Sequence, residues 1–205
     1  MPGGGSGRGF TLGRMVSSAH FAAFAALTFL MVIVPGPSVL FTISRALTVG
    51  RRDALLTVVG NAMGVYTQVV AVAFGLGALV TTSAALFTAI KLGGAIYLVY
   101  LGVQAIRKRH KLSDAIAAEV RVAPGKTLTV IRDGIVVGFA NPKSIVFLAA
   151  ILPQFVDTAA GSVATQMLLL GICLPVIALV CDSGWAFAAG SARDWFASSR
   201  AILKN

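Results

Sequence analysis

The sequence predicts an all-α integral membrane protein with five transmembrane helices, and three observations carry that expectation. The first is composition. Of 205 residues, 57% are hydrophobic and 12% charged, with a mean hydropathy of +0.88. Soluble domains carry about 25% charged residues, so half that share, set in long apolar runs, belongs to lipid. The second is the placement of charge. A formal net charge of +10 could suit nucleic acid, but the Lys and Arg residues gather in short segments between apolar runs, as the positive-inside rule requires. They read as topology signals and contacts for anionic lipid head groups, with no nucleic-acid partner. The third is a pair of proline breaks, Pro35-Gly36-Pro37 and Asn141-Pro142-Lys143, each inside an apolar run.

Residues 1–18 begin with a polar, glycine-rich stretch that reads as a disordered extension, and Met15 serves as well as Met1 for a start. Arg8 and Arg14 before an apolar run suggest a signal peptide, but no small-residue cleavage site follows. The membrane domain is expected over 19–192. Its first span covers 20–44, apolar from Phe21 to Val34 except for Thr28, and is split near 35–37 because proline lacks an N–H and clashes with the preceding turn, at roughly 3 kcal/mol. Arg45, Arg51 and Arg52 follow. The second span, 54–80, carries Asn61 and Gln68 on one helical face and a Gly60/Gly64 pair that lets a neighbouring backbone approach. The third, 84–105, has Lys91 as its only charge.

A basic loop, 107–131, contains Arg107-Lys108-Arg109-His110-Lys111, Arg121 and Lys126. The fourth span, 133–152, holds the second break. The next link has Asp157 as its only charge, and the fifth span, from Val163 to about Gly190, contains Asp182. A basic tail, 193–205, ends the chain. Segments after the first, third and fifth spans are basic, whereas those after the second and fourth have no Lys or Arg, so the N-terminus is expected outside and the C-terminus in the cytoplasm. The first span then enters from outside and the fourth from inside. Repeat one (19–106) and repeat two (132–192) thus become candidates for an inverted pair, each opening with a broken helix. Matched breaks of this kind point to a midplane binding site, where half-helix N-termini can hold a carboxylate. The alternative is two independent proline kinks.

Pro35-Gly36-Pro37, Leu92-Gly93-Gly94-Ala95-Ile96-Tyr97-Leu98 with Tyr100-Leu101-Gly102, Gly138-Phe139-Ala140-Asn141-Pro142-Lys143 and Leu152-Pro153-Gln154-Phe155 occur in an order and spacing that resembles the LysE/RhtB family of bacterial amino-acid exporters. The resemblance runs from about Phe21 to Arg193. A proline-glycine-proline first span is similar to the RhtB branch. That resemblance implies efflux of neutral amino acids such as homoserine, threonine and leucine across the bacterial inner membrane, driven by the proton gradient, in a possible homo-oligomer. It also implies a six-span parent, and this sequence stops within the equivalent of the linker before the sixth span. A basic amino-acid exporter, an inactive truncated transporter, a non-transporting scaffold and a channel are the rival readings.

Candidate residues follow from the in-span polar groups. Asp182 lies past the middle of its span, where a side chain too short to reach the interface is either a proton carrier or a residue near the cytoplasmic head groups. Lys91 is either a snorkelling lysine or a cavity-facing cation and partner for Asp182. Lys143 is either packing or a carboxylate anchor. Asn141, held out of helical geometry by Pro142, caps the resumed helix or touches substrate. Asn61 and Gln68 are interhelical hydrogen-bond donors or pathway residues. Together with Pro35, Gly36, Pro37 and Pro142, these form the expected substrate site. Cys173 and Cys181 read as small packing residues, and His20 and His110 have no second ligand nearby, so no metal is expected. No enzyme or cofactor fingerprint occurs, and neither an enzymatic activity nor a cofactor is expected.

Overall fold

Both proline runs do break their helices. The computed structural model describes residues 16–82, 84–107 and 126–202, and their regular structure is entirely helical. Helix α1 (Ser18–Ile33) opens on Ser17, whose hydroxyl accepts the His20 amide at 3.1 Å. It ends at Ile33 because Pro35 and Pro37 bring no N–H to the carbonyls four residues earlier, those of Met31 and Ile33. The chain resumes as α2 (Pro37–Thr48), capped by Gly36, with Pro37 in the first turn where its missing N–H does no harm. The two axes differ by 52°. Helices α3 (Arg51–Thr82) and α4 (Ala84–Arg107) follow.

The second break repeats the device. Helix α5 (Thr127–Phe139) stops short of Pro142, and α6 (Pro142–Ile151) starts under the Asn141 side chain, which accepts the Lys143 amide at 3.1 Å. A 3-10 turn (Leu152–Phe155) prolongs α6, and the bend is 48°. Helices α7 (Val163–Gly171) and α8 (Cys173–Ile202) are interrupted only at Ile172, where Pro175 has no N–H for the Gly171 carbonyl. Two stretches, Arg51–Leu76 and Val163–Trp195, are long and apolar enough to cross a membrane alone. Each bent pair qualifies as a broken span, and Thr88–Tyr100 within α4 is a shorter apolar helix. The fold is all-α and built for lipid.

Several boundaries differ from the sequence expectation, among them the fifth span, expected as one helix and interrupted at Ile172. Helix α5 begins at Thr127, inside the stretch expected as loop, and α8 continues to Ile202 through the expected tail. Charges end an apolar run without ending a helix: Arg132 stays on the exposed face, and Asp194 meets Arg51 at 2.8 Å on the surface. Most of the expected N-terminal extension and of the basic loop, residues 1–15 and 108–125, lies outside the described residues. Ser17 and Ser18, expected as the end of that extension, belong to the start of α1.

The packing runs crosswise. Helix α3 lies along α5, α8 packs on α1, α2 and α3, and α4 packs on α6. Phe24 of α1 stacks near Phe147 and Phe155, with ring centroids 5.9 and 5.4 Å apart, tying the first break to the second. The α3–α5 crossing is the closest. A Cβ on Gly60 would strike the Ile131 carbonyl and one on Gly64 that of Ile135; from the other side, Gly134 abuts Thr57 and Gly138 abuts Asn61. Two glycine pairs four residues apart therefore face each other, backbone on backbone. Replacing Gly134 with Ala should push these helices apart and destabilise the protein by about 1–3 kcal/mol. Gly75, where a Cβ meets nothing within 4 Å, should accept Ala freely. Melting of the two variants in detergent, followed by fluorescence-detected size exclusion, measures the contrast.

Candidate functional site

Each break supplies groups that the other one lacks. Around the first, Lys143 Nζ donates to the Met31 and Val34 carbonyls at 2.6 Å each, and Asn141 Nδ2 donates to Ser38 Oγ at 3.1 Å. The carbonyl of Met31 is one that Pro35 has left without a helical donor. Gly36 makes room for this bridge, since a Cβ there would sit 3.2 Å from Lys143 Cδ. Around the second break, the Gln68 amide of α3 donates to Gly138 O at 3.0 Å, Phe139 O at 2.6 Å and Asn141 O at 3.3 Å. Pro142 cannot serve Gly138, whose carbonyl is left with the Asn141 amide at 3.3 Å, and Lys143 has given its amide to the cap. The freed backbone is thus held by side chains from elsewhere.

Asp182 of α8 is 2% exposed and faces this region. Its Oδ2 accepts from Asn61 Nδ2 at 3.3 Å, while its Oδ1 and Asn61 Oδ1 have no partner among the described residues. Gly36, Ser38, Asn61, Asn141, Lys143 and Asp182 line a shared cavity with a few apolar side chains. Its volume is about 30 Å³. That is room for roughly one or two water molecules, far too little for an amino acid. The arrangement is a small polar site at the meeting of two broken helices.

Of the residues singled out from the sequence, Gly36, Asn61, Asn141, Lys143 and Asp182 come together at this cavity. Pro35, Pro37 and Pro142 make the breaks without lining it, and Gln68 props the second break from outside it. Lys91 does not join them. It is half-buried on α4, which packs chiefly on α6, whereas Asp182 rides on α8. The lysine that shares the cavity with Asp182 is Lys143, so the suggested Lys91 partnership is corrected.

Sequence reasoning missed Ser38 and Ser144, which also line the cavity, and misread Arg45. By its place after the first span Arg45 reads as a topology signal, yet it is 3% exposed. Its guanidinium meets Asp133 Oδ2 at 3.2 Å, Thr57 Oγ1 at 3.1 Å and Val130 O at 3.5 Å, and lies 5.0 Å from the centre of the Phe41 ring. A signal was present: Ser38, Thr42 and Arg45 recur on one face of α2, and all three are buried. With Thr57 and Asn61 on α3, they make a polar stripe from the cavity to the end of the bundle that carries Arg51, Arg132 and Arg193.

Residues 29–205 match the family model described as LysE type translocator. The chain belongs to that family. As a LysE type translocator it is a membrane transporter and not an enzyme. It is 39% identical over 141 residues to an uncharacterised membrane protein of Vibrio cholerae, covering 68% of this chain and 66% of that one. It is 32% identical to the homoserine/homoserine lactone efflux protein of Salmonella typhimurium, covering 84% and 82% of the two chains. The leucine efflux protein of Enterobacter sp. is 26% identical over 90% of this chain and 86% of its own. No solved structure matches at a significant level.

For this translocator, Gln68→Leu should strand the Phe139 carbonyl, since Gly138 O keeps the Asn141 amide and Asn141 O keeps the Ile145 amide and the Ser144 hydroxyl, and should cost about 1–3 kcal/mol. Lys91→Met, by contrast, should leave both the melting temperature and transport unchanged. Thermal unfolding of the two variants beside the parent, with amino-acid counterflow in liposomes for Lys91→Met, checks these outcomes.

Proposed function

We propose that this LysE type translocator exports small neutral amino acids, of the homoserine, threonine and leucine kind, across the bacterial inner membrane in exchange for protons. The observation that carries this reading is Asp182, buried beside Asn61 and sharing one polar cavity with both helix breaks. An ionisable group at such depth, away from any charged partner within 4.0 Å, costs stability that function must justify. A carboxyl there can take a proton from one side and release it to the other. The efflux proteins named among the relatives supply the substrate class. Homoserine and its lactone share an amino group, and only homoserine has a free carboxylate, so an amine is the feature common to both.

In this reading spans 1–3 and the later helices are inverted repeats, and the basic end of the bundle faces the cytoplasm with the N-terminus outside. Alternating access then proceeds around the breaks. The Arg45–Asp133 pair, with Thr57 and the Val130 carbonyl, closes the polar stripe on the cytoplasmic side and must part for substrate to enter. A cationic side chain on the substrate would meet Lys143 in the same cavity, which disfavours basic amino acids.

The test is counterflow of labelled homoserine, threonine and leucine in liposomes with and without a pH gradient. Asp182→Asn keeps the partner of Asn61 and should insert normally while losing gradient-driven export. Unchanged gradient-driven export by that variant removes Asp182 from the mechanism. Asp133→Ala should release Arg45 and favour the cytoplasm-open form. In a background without Cys173 and Cys181, a cysteine at Thr42, buried in the closed form, should then react faster with a water-soluble thiol reagent applied from the cytoplasmic side.

A further inference from the structure

Lys143 is the only cation among the described residues that line the cavity, and Asp182 lines it too. The two do not form an ion pair within 4.0 Å. The ammonium goes instead to a pair of backbone carbonyls, Met31 O and Val34 O, at 2.6 Å each. These sit at the C-terminal end of α1, the negative end of a helix; Met31 lines the cavity, and the half-exposed Val34 stands at its edge. An ammonium offers three N–H donors and a positive charge. The α-ammonium of an amino acid offers the same.

We infer that the Met31 and Val34 carbonyls are the seat for the substrate's α-ammonium, held in this closed form by Lys143, which moves aside on binding and takes the substrate's α-carboxylate. The inference rests on the amino-acid reading above and assigns the two ends of the zwitterion. Exchange of one ammonium for another keeps the freed carbonyls of the first break bonded throughout, as a lipid setting demands. Withdrawal of the lysine stem from beside Gly36 also opens space that a cavity of about 30 Å³ does not have. Gly36 is thereby a passage for that stem as well as a helix cap.

Two measurements test the seat. In the first, the full chain is purified in detergent and its melting followed. Lys143→Met leaves the seat open, so methylammonium should raise the melting temperature of this variant and leave that of the parent unmoved. Tetramethylammonium, which has no N–H, should do nothing to either. No rise with methylammonium, or an equal rise with tetramethylammonium, overturns the proposal.

The second measurement uses the parent and so does not depend on the variant folding. Leucinol, which keeps the amine, should compete with labelled leucine in liposome counterflow at least about ten-fold better than 4-methylpentanoate, which keeps the carboxylate alone; a charged hydrogen bond is of that size. In Lys143→Met the preference for leucine over leucinol should fall by about ten-fold. Competition by 4-methylpentanoate equal to that by leucinol rejects the seat and leaves the export reading standing. Absence of any amino-acid counterflow by the parent rejects the export reading and this assignment with it, whereas the methylammonium shift reports on the carbonyls alone.

Discussion

Backbone carbonyls that lose their donors in lipid have to find others, and this structure is arranged around that requirement. Pro35, Pro37 and Pro142 remove N–H groups from two helices. Water in the hydrocarbon core cannot replace them, so protein must. Lys143 does so for the Met31 carbonyl at the first break and Gln68 for the Phe139 carbonyl at the second. The cost of the two interruptions is offset by side chains reaching in from α6 and α3. What would otherwise be damage becomes a polar chamber in an apolar bundle.

The close crossing of α3 and α5 makes that repair possible. Four glycines bring the two backbones near enough that the Gln68 amide reaches three carbonyls at once. Bulkier residues would hold α3 off and leave the amide short. On the other flank, α8 packs on α1, α2 and α3, which sets Asp182 against Asn61. The position of the carboxyl is therefore a product of helix packing rather than of its local sequence.

Much of this is legible in the sequence, for physical reasons. Paired with glycine or asparagine, Pro35, Pro37 and Pro142 marked breaks to within a residue or two of where α1 and α5 stop, whereas the lone Pro175 gave no such mark and the interruption at Ile172 was not legible. The in-span polar residues were few, so most of those that meet at the cavity stood out. Pairing was not legible. Lys91 and Lys143 are each a single charge in an apolar span, and only the packing of α4 on α6 shows which of them stands apart from Asp182. Arg45 misled because a basic residue after a span usually marks a membrane face. Its burial depends on Asp133, 88 residues away, which no local window contains. The Gly134/Gly138 pair shows the same limit: its partner, Gly60/Gly64, was visible, but which helix would press against it was not.

The bridges between the two breaks also have a mechanical consequence. Lys143 sits just after one hinge and holds the carbonyls just before the other, and Asn141 grips Ser38 across the same gap. Neither hinge can swing far without tearing at its counterpart. Under the alternating access proposed above, the two would act as an interlock: a state with both doors ajar would forfeit every bond that joins them.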